Sequence, residues 1–423
     1  MKKTLLFALV LGLAVMFAVP AFAFKIESGK DNTFYFGAAI FTDFAAWNYS
    51  KELGNGKSDK TQAILNLAQH SRIRGNLDVG NVGAYWEVRM GGNQAGAQGA
   101  SGSFSSTGGY YFAESAKLYG YYKFGNCTLL AGKTDGHFYS VGAYQNIGYG
   151  LAAPTGGSPH IALFGFGNNY DNRNPQIRFS QDVNKSFGYD ISVVESQYYW
   201  DTGIGSATGA PIGSPSTANA AQSYATFPMV AAKLRMNFGA VSLMPAAYVQ
   251  YVKWDNLPGN ADDNMTSWAA TLPVVFKAGA FTGTFAGTYG INMGTRLNVL
   301  QGALQAQSVW HGYGRTPSGA IKNTTGWNAF MDLAFTSGAV TPHFYMGYDK
   351  AINDDIYGRG LSSGSDNFNQ RTAIGASVNW KVAESFYLVP EFTYLNYGKN
   401  PVVNGNPDLG TEWIAGVQFQ FVF

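Results

Sequence analysis

The stretch "EWIAGVQFQFVF", residues 412–423, sets Trp413, Ala415, Val417, Phe419, Phe421 and Phe423 at every second place. Successive side chains of a strand point to opposite faces, so this pattern predicts a strand with one oily side. Glu412, Gly416, Gln418 and Gln420 fill most of the other side. What the oily side meets decides the fold.

The opposite end of the chain narrows the choice. Lys2 and Lys3 precede an apolar run from Leu5 to Val19, Pro20 breaks it, and Ala21-Phe22-Ala23 forms a small-x-small cleavage site. Residues 1–23 therefore read as a Sec-type signal peptide, too short in its apolar part for a spanning helix. Removing Lys2 and Lys3 with it balances the remaining basic residues against the 26 acidic ones, so no strongly charged partner such as nucleic acid is implied. The single Cys127 excludes an internal disulfide framework. Charged residues make up only 13%, well below the usual quarter, whereas aromatics reach 15% and Gly counts 53. An exported chain of this kind is either a large soluble β protein or a transmembrane β-barrel.

Period-two reading predicts sixteen strands: 33–44, 68–79, 82–92, 110–124, 127–134, 174–181, 187–198, 224–237, 241–252, 266–277, 281–291, 326–336, 340–350, 371–382, 386–397 and 411–423. Most are long enough for a tilted strand to cross the hydrocarbon, which takes about 9–11 residues, whereas soluble strands usually have about 5 or 6. Short turns ("GN" at 80–81 and 125–126, "GA" at 239–240) alternate with long segments rich in Gly, Ser, Asn and Ala. That rhythm fits an even-stranded antiparallel barrel, with residues 24–423 as a single domain, short periplasmic turns and long extracellular loops. Sixteen closed strands enclose a lumen too wide for side chains to fill, so the polar face points inward and the oily face meets lipid.

Strand charges then mark the lumen, because Arg or Lys facing lipid near the midplane costs about 2–4 kcal/mol. The candidate pore-lining residues are Arg72, Arg74, Arg89, Lys117, Lys123, Arg173, Arg178, Lys233 and Arg235, with Arg371 and Lys381 obeying the same rule. The corresponding acids are Glu87, Asp332, Asp349, Glu391 and Glu412. Basic residues outnumber acidic ones in this reading, and a cationic wall lowers the barrier to anions, so a weak anion preference is expected. The plain alternative is a ladder of charges that only keeps the lumen wet. Tyr85, Tyr119 and Tyr121 also face the lumen in this assignment.

Chemistry of other kinds is weakly signalled. The five His are scattered without metal-ligand spacing, and no nucleophile elbow occurs. No cofactor is expected. Asp255, Asp262 and Asp263, or Asp349, Asp354 and Asp355, have oxygen ligands of the sort Ca²⁺ takes, but solvated loop charge accounts for them more simply.

The segment 135–173 is the longest connection, and it is aromatic and Gly-rich ("HFYSVGAYQNIGYGL", "IALFGFGNNY"). Such a loop buries its apolar groups only by folding into the barrel. Here the chain resembles the sixteen-stranded general (diffusion) porins, whose third long loop follows the fifth strand and folds inward. "LLAGKTDGHFYSVGAYQN" is similar to their run of strand end, Gly-basic pair and loop start. "YDNRNPQIRFS" is similar to their entry into the sixth strand, and "QFQFVF" to the C-terminal signature read by the barrel-assembly machinery. The resemblance implies a homotrimer in the lipid bilayer of a Gram-negative outer membrane, passing small hydrophilic solutes through a constriction formed by 135–173. It also implies that Arg72, Arg74, Lys123 and Arg173 supply the basic side of that constriction. The family's acidic cluster and the Pro-Glu-Phe-Gly-Gly motif of its enteric members are absent here. Alternatives of other kinds are a substrate-specific channel for sugars or anions, a barrel enzyme, and a structural surface protein.

Overall fold

The computed structural model describes residues 24–27, 32–52, 59–68, 71–89, 114–138, 147, 163, 165–169, 171, 173–196, 222–224, 227–255, 262–295, 314–315, 321–352, 368–399 and 408–423. Residues 1–23, expected to be a signal peptide, and most of the long loops lie outside them. The wall strands are β1 (Asn32–Tyr49), β2 (Lys60–Leu67 and Arg72–Val79), β3 (Val82–Arg89), β4 (Glu114–Phe124), β5 (Cys127–Asp135), β6 (Arg173–Asp182), β7 (Phe187–Val194) and β8 (Gln222–Tyr224 and Met229–Phe238). They continue as β9 (Val241–Leu243 and Ala246–Asp255), β10 (Asn264–Ala278), β11 (Phe281–Ile291), β12 (Thr325–Phe335), β13 (Val340–Ile352), β14 (Phe368–Ala383), β15 (Phe386–Asn396) and β16 (Thr411–Val422). Each pairs antiparallel with the next, and β16 returns to β1 with Ala39 opposite Val422 and Tyr49 opposite Glu412. The sheet is a closed sixteen-stranded barrel, all antiparallel.

The turn chemistry explains how the strands reverse. Five two-residue turns begin with a glycine of positive φ: Gly80, Gly125, Gly239, Gly279 and Gly338. Their second residues do not have positive φ, which is the II′ geometry whose twist matches that of the flanking strands.

Two boundaries differ from the sequence reading for a physical reason. β1 runs on to Tyr49 and pairs with Lys60–Leu67, where the sequence suggested a loop from 45 to 67. Alternation is hidden there because both faces are apolar: Phe44 and Leu65 point out, while Ala45, Trp47 and Ile64 are buried. In β9, Pro245 lacks an N–H and interrupts the ladder between Leu243 and Ala246. The residues expected at 90–92 and 110–113 lie outside the described ones. A further segment, Phe24–Glu27, pairs with residues 33–36 of β1 and prolongs the line of β16.

The outer face is oily. Phe44, Leu65, Leu118, Ile177, Val230, Leu272, Phe344 and Phe392 are exposed along it. Aromatic side chains gather near the short turns (Phe124, Phe238, Phe276, Phe335, Trp380) and again near the long loops, where Trp268 meets Tyr289 at 5.8 Å between centroids. This is the double girdle of a membrane barrel. The inner face carries Asp43, Glu87, Gln176, Asp190, Asn328, Asp332, Asp349, Arg371, Glu391 and Gln418.

Candidate functional site: the inner wall

Alternation on β2–β6 brings the early charges to one sector of the lumen. Arg72 reaches Glu87 at 3.5 Å, and Arg173 reaches the same carboxylate at 3.6 Å. Arg173 also bonds Asp135 at 2.8 Å, and Lys117 pairs with Asp135 from the other side. Arg74 stands 6.0 Å from the Tyr35 ring, and Lys123 lies 3.4 Å from Asp78 near the short turns. Arg89 sits opposite Arg72 in register. Arg178 donates to Gln176, to Ser192 and to the Asp135 carbonyl. On β8, Lys233 is buried opposite Asp190, and Arg235 binds Asp182 at 2.9 Å and Asp190 at 3.2 Å. Seven of these cations thus face one sector on β2–β6, and Lys233 and Arg235 follow it round the wall on β8.

The sequence reading missed much of the negative charge. Asp43, Asp78, Asp135, Asp171 and Asp190 join the five acids assigned to the lumen, and Asp78, Asp135 and Asp190 pair directly with predicted cations. The excess of basic residues in the early strands is therefore largely compensated. Asp78 and Asp190 were legible, since each shares a face with an assigned residue of its own strand or neighbour. Asp43 was not, because its face is otherwise apolar with Phe41, Ala45 and Trp47.

The second finding concerns what touches the wall. Among the described residues of 136–171, His137 bonds Ser192 on β7 at 2.8 Å, and Phe138 meets Tyr248 on β9 edge-to-face at 5.3 Å. Asn169 donates to Thr288 on β11 at 2.5 Å and exchanges hydrogen bonds with Asn328 on β12. Gly167 packs against the backbone of Ala329, Gly347 and Tyr348, where any Cβ would overlap. Phe166 meets Tyr397 edge-to-face at 5.2 Å, and the Ile147 N–H donates to Glu391 on β15. Ile147, Leu163 and Phe166 form one apolar cluster with Trp47, Phe330, Tyr345, Leu395 and Ile414. The inner face is thus not uniformly polar, contrary to the expectation from barrel size alone. Inner residues of β11–β15 are buried, whereas Arg72, Tyr85, Lys117, Tyr119 and Tyr121 on β2–β4 stay partly exposed.

The carboxylates considered for Ca²⁺ have separate fates. Asn264 and Lys253 hold the Asp263 carboxyl below the usual range. Asp349 faces inward on β13 opposite Arg371, and Asp354 and Asp355 lie outside the described residues. Among the described residues no group of three or more metal-ligating side chains comes together.

Comparison with known proteins fixes the architecture. No protein-family model and no curated protein matches the chain. Among solved structures it is similar to the outer membrane channel DcaP of Acinetobacter baumannii, with a TM-score of 0.64, 14% identity, and 95% of this chain covering 100% of that one. It is also similar to OmpF of Salmonella typhi in complex with daunomycin (TM-score 0.54, 10% identity, 94% and 100% covered). A loop L8 deletion mutant of the Vibrio cholerae outer membrane protein OmpT gives 0.52 at 10% identity, with 93% and 99% covered. At these identities the shared property is the fold.

Proposed function

We propose that the chain is a porin: a water-filled channel for passive diffusion of small hydrophilic solutes and ions across the outer membrane of a Gram-negative bacterium. The observation that carries this reading is the inversion of an ordinary protein, with apolar side chains exposed outside and ion pairs and carboxamides inside a closed sixteen-stranded wall. A barrel of this strand number leaves an aqueous lumen. The neighbour described as an outer membrane channel supports it. The resemblance adds a homotrimer, export by the leader at 1–23, recognition of Phe423 by the assembly machinery, and narrowing of the bore by 135–173. Passage needs no energy source, cofactor or catalytic group.

The balanced pairs on β2–β8 make the preference for anions small. The test is single-channel recording of the refolded chain in a planar bilayer. Ohmic steps, grouped in threes for a trimer, are expected. A heat-modifiable, fully folded barrel that gives no steps overturns the reading and returns the surface-structural alternative.

A further inference from the structure

A strip of tyrosines runs along the partly exposed sector of the wall. Tyr85 on β3 and Tyr119 on β4 are opposite in register, with ring centroids 5.3 Å apart and planes 24° from parallel. Tyr121 continues the strip at 6.2 Å. A glycine neighbour lets the Tyr121 ring settle. Gly83 stands opposite Tyr121 and a Cβ there would overlap its ring, so the ring lies across the bare backbone of β3. The Lys123 ammonium stands over the same ring, 4.9 Å from its centroid. The hydroxyls are fixed as well: Tyr85 donates to Glu87 at 3.0 Å, and Tyr121 donates to Asp78 at 2.5 Å and to Asn76 at 3.3 Å.

Most of the charge beside the strip is paired. Lys123 sits 3.4 Å from Asp78, and Glu87 and Asp135 share Arg72, Arg173 and Lys117. A wall of paired charges pulls less on an ion than one of free charges. It has more to offer a solute with an apolar ring face and a rim of hydroxyls. Aromatic faces stack on the C–H face of such a ring, and carboxylates and carboxamides accept from its hydroxyls. Pre-fixed side chains lose little entropy when they do so.

We propose that Tyr85, Tyr119 and Tyr121, with Asn76 and Asp78, form a binding strip for neutral oligosaccharides in the pore. This rests on the channel reading above and names a solute class for it. The experiment uses the full refolded chain in a planar bilayer, with maltohexaose added to one side and a polyethylene glycol of equal hydrodynamic radius as the size control. Maltohexaose is expected to interrupt the current in discrete, saturable events, while the polymer only lowers conductance smoothly. Tyr119→Leu, which keeps an apolar side chain on the wall, and Tyr119→Ala should each raise the half-saturating concentration roughly tenfold, with salt conductance retained. Identical effects of sugar and polymer on the natural chain, or unchanged saturation in Tyr119→Leu, overturn the strip and leave the channel standing. Absence of conductance in the natural chain overturns both.

Discussion

Arg371 shows what a single side chain does in this wall. It is 1% exposed, with its guanidinium 5.7 Å from the Phe166 ring and 5.3 Å from the Tyr397 ring, and it stands opposite Asp349. A planar cation between two aromatic rings is held by stacking as well as by charge, which a lysine reproduces poorly. Arg371→Ala removes both ring contacts from a dry site, where a desolvated cation–π contact is worth about 2 kcal/mol. The variant should therefore convert to its unfolded electrophoretic form at a clearly lower temperature, and Arg371→Lys should recover only part of the difference. Glu87 offers the complementary case. It lies between Arg72 and Arg173, so Glu87→Gln removes one negative charge and leaves Arg72 without that partner while Arg173 keeps Asp135, which should move the reversal potential under a salt gradient toward anions. An unchanged potential would mean that this sector does not line the conducting path. Both residues were legible as inward from alternation alone. That Arg371 would be dry was not legible, because period two reveals the face of a strand and not what later covers it.

At the level of elements, the strands that alternated cleanly were readable almost to the residue, as in β11 and β15. The turns were readable because glycine at the first position has a steric reason. Reading failed where the inner face turns apolar, along the far half of β1 and its partner Lys60–Leu67, since an apolar cluster built with Ile147, Leu163 and Phe166 erases the contrast between the two faces. The same contact zone makes a test. Gly347 on β13 has no room for a Cβ, which would overlap the Phe166 carbonyl, a backbone atom that cannot swing aside. Gly347→Ala should push residues 166–169 from the wall and loosen the bonds of Asn169 to Thr288 and Asn328. Open-channel current noise should rise while the barrel still assembles. A quiet channel of unchanged conductance would show that this contact does not hold the stretch in place.

For the whole molecule, the inside-out distribution of polarity sets the cost of errors. Ile177 on β6 is 59% exposed on the outer face. A lysine there meets hydrocarbon at a cost of about 2–4 kcal/mol near the midplane, whereas a valine meets almost none. The yield of folded barrel in lipid vesicles should fall for Ile177→Lys and stay level for Ile177→Val. Equal yields would place Ile177 against something other than lipid.

The seam between Phe24 and Phe423 has a consequence for how the polypeptide can be rewired. Phe423 exchanges both backbone hydrogen bonds with Ala38, and Phe24 stands opposite Phe36, running in the same direction. Between them only the place opposite Gly37 is vacant. In a chain shortened to residues 24–423 the barrel is a loop of chain with one nick in it, a residue wide. Sealing it with a short linker and opening the Gly125-Asn126 turn instead should give a permuted chain that closes into the same wall, with its open seam moved to β4 and β5.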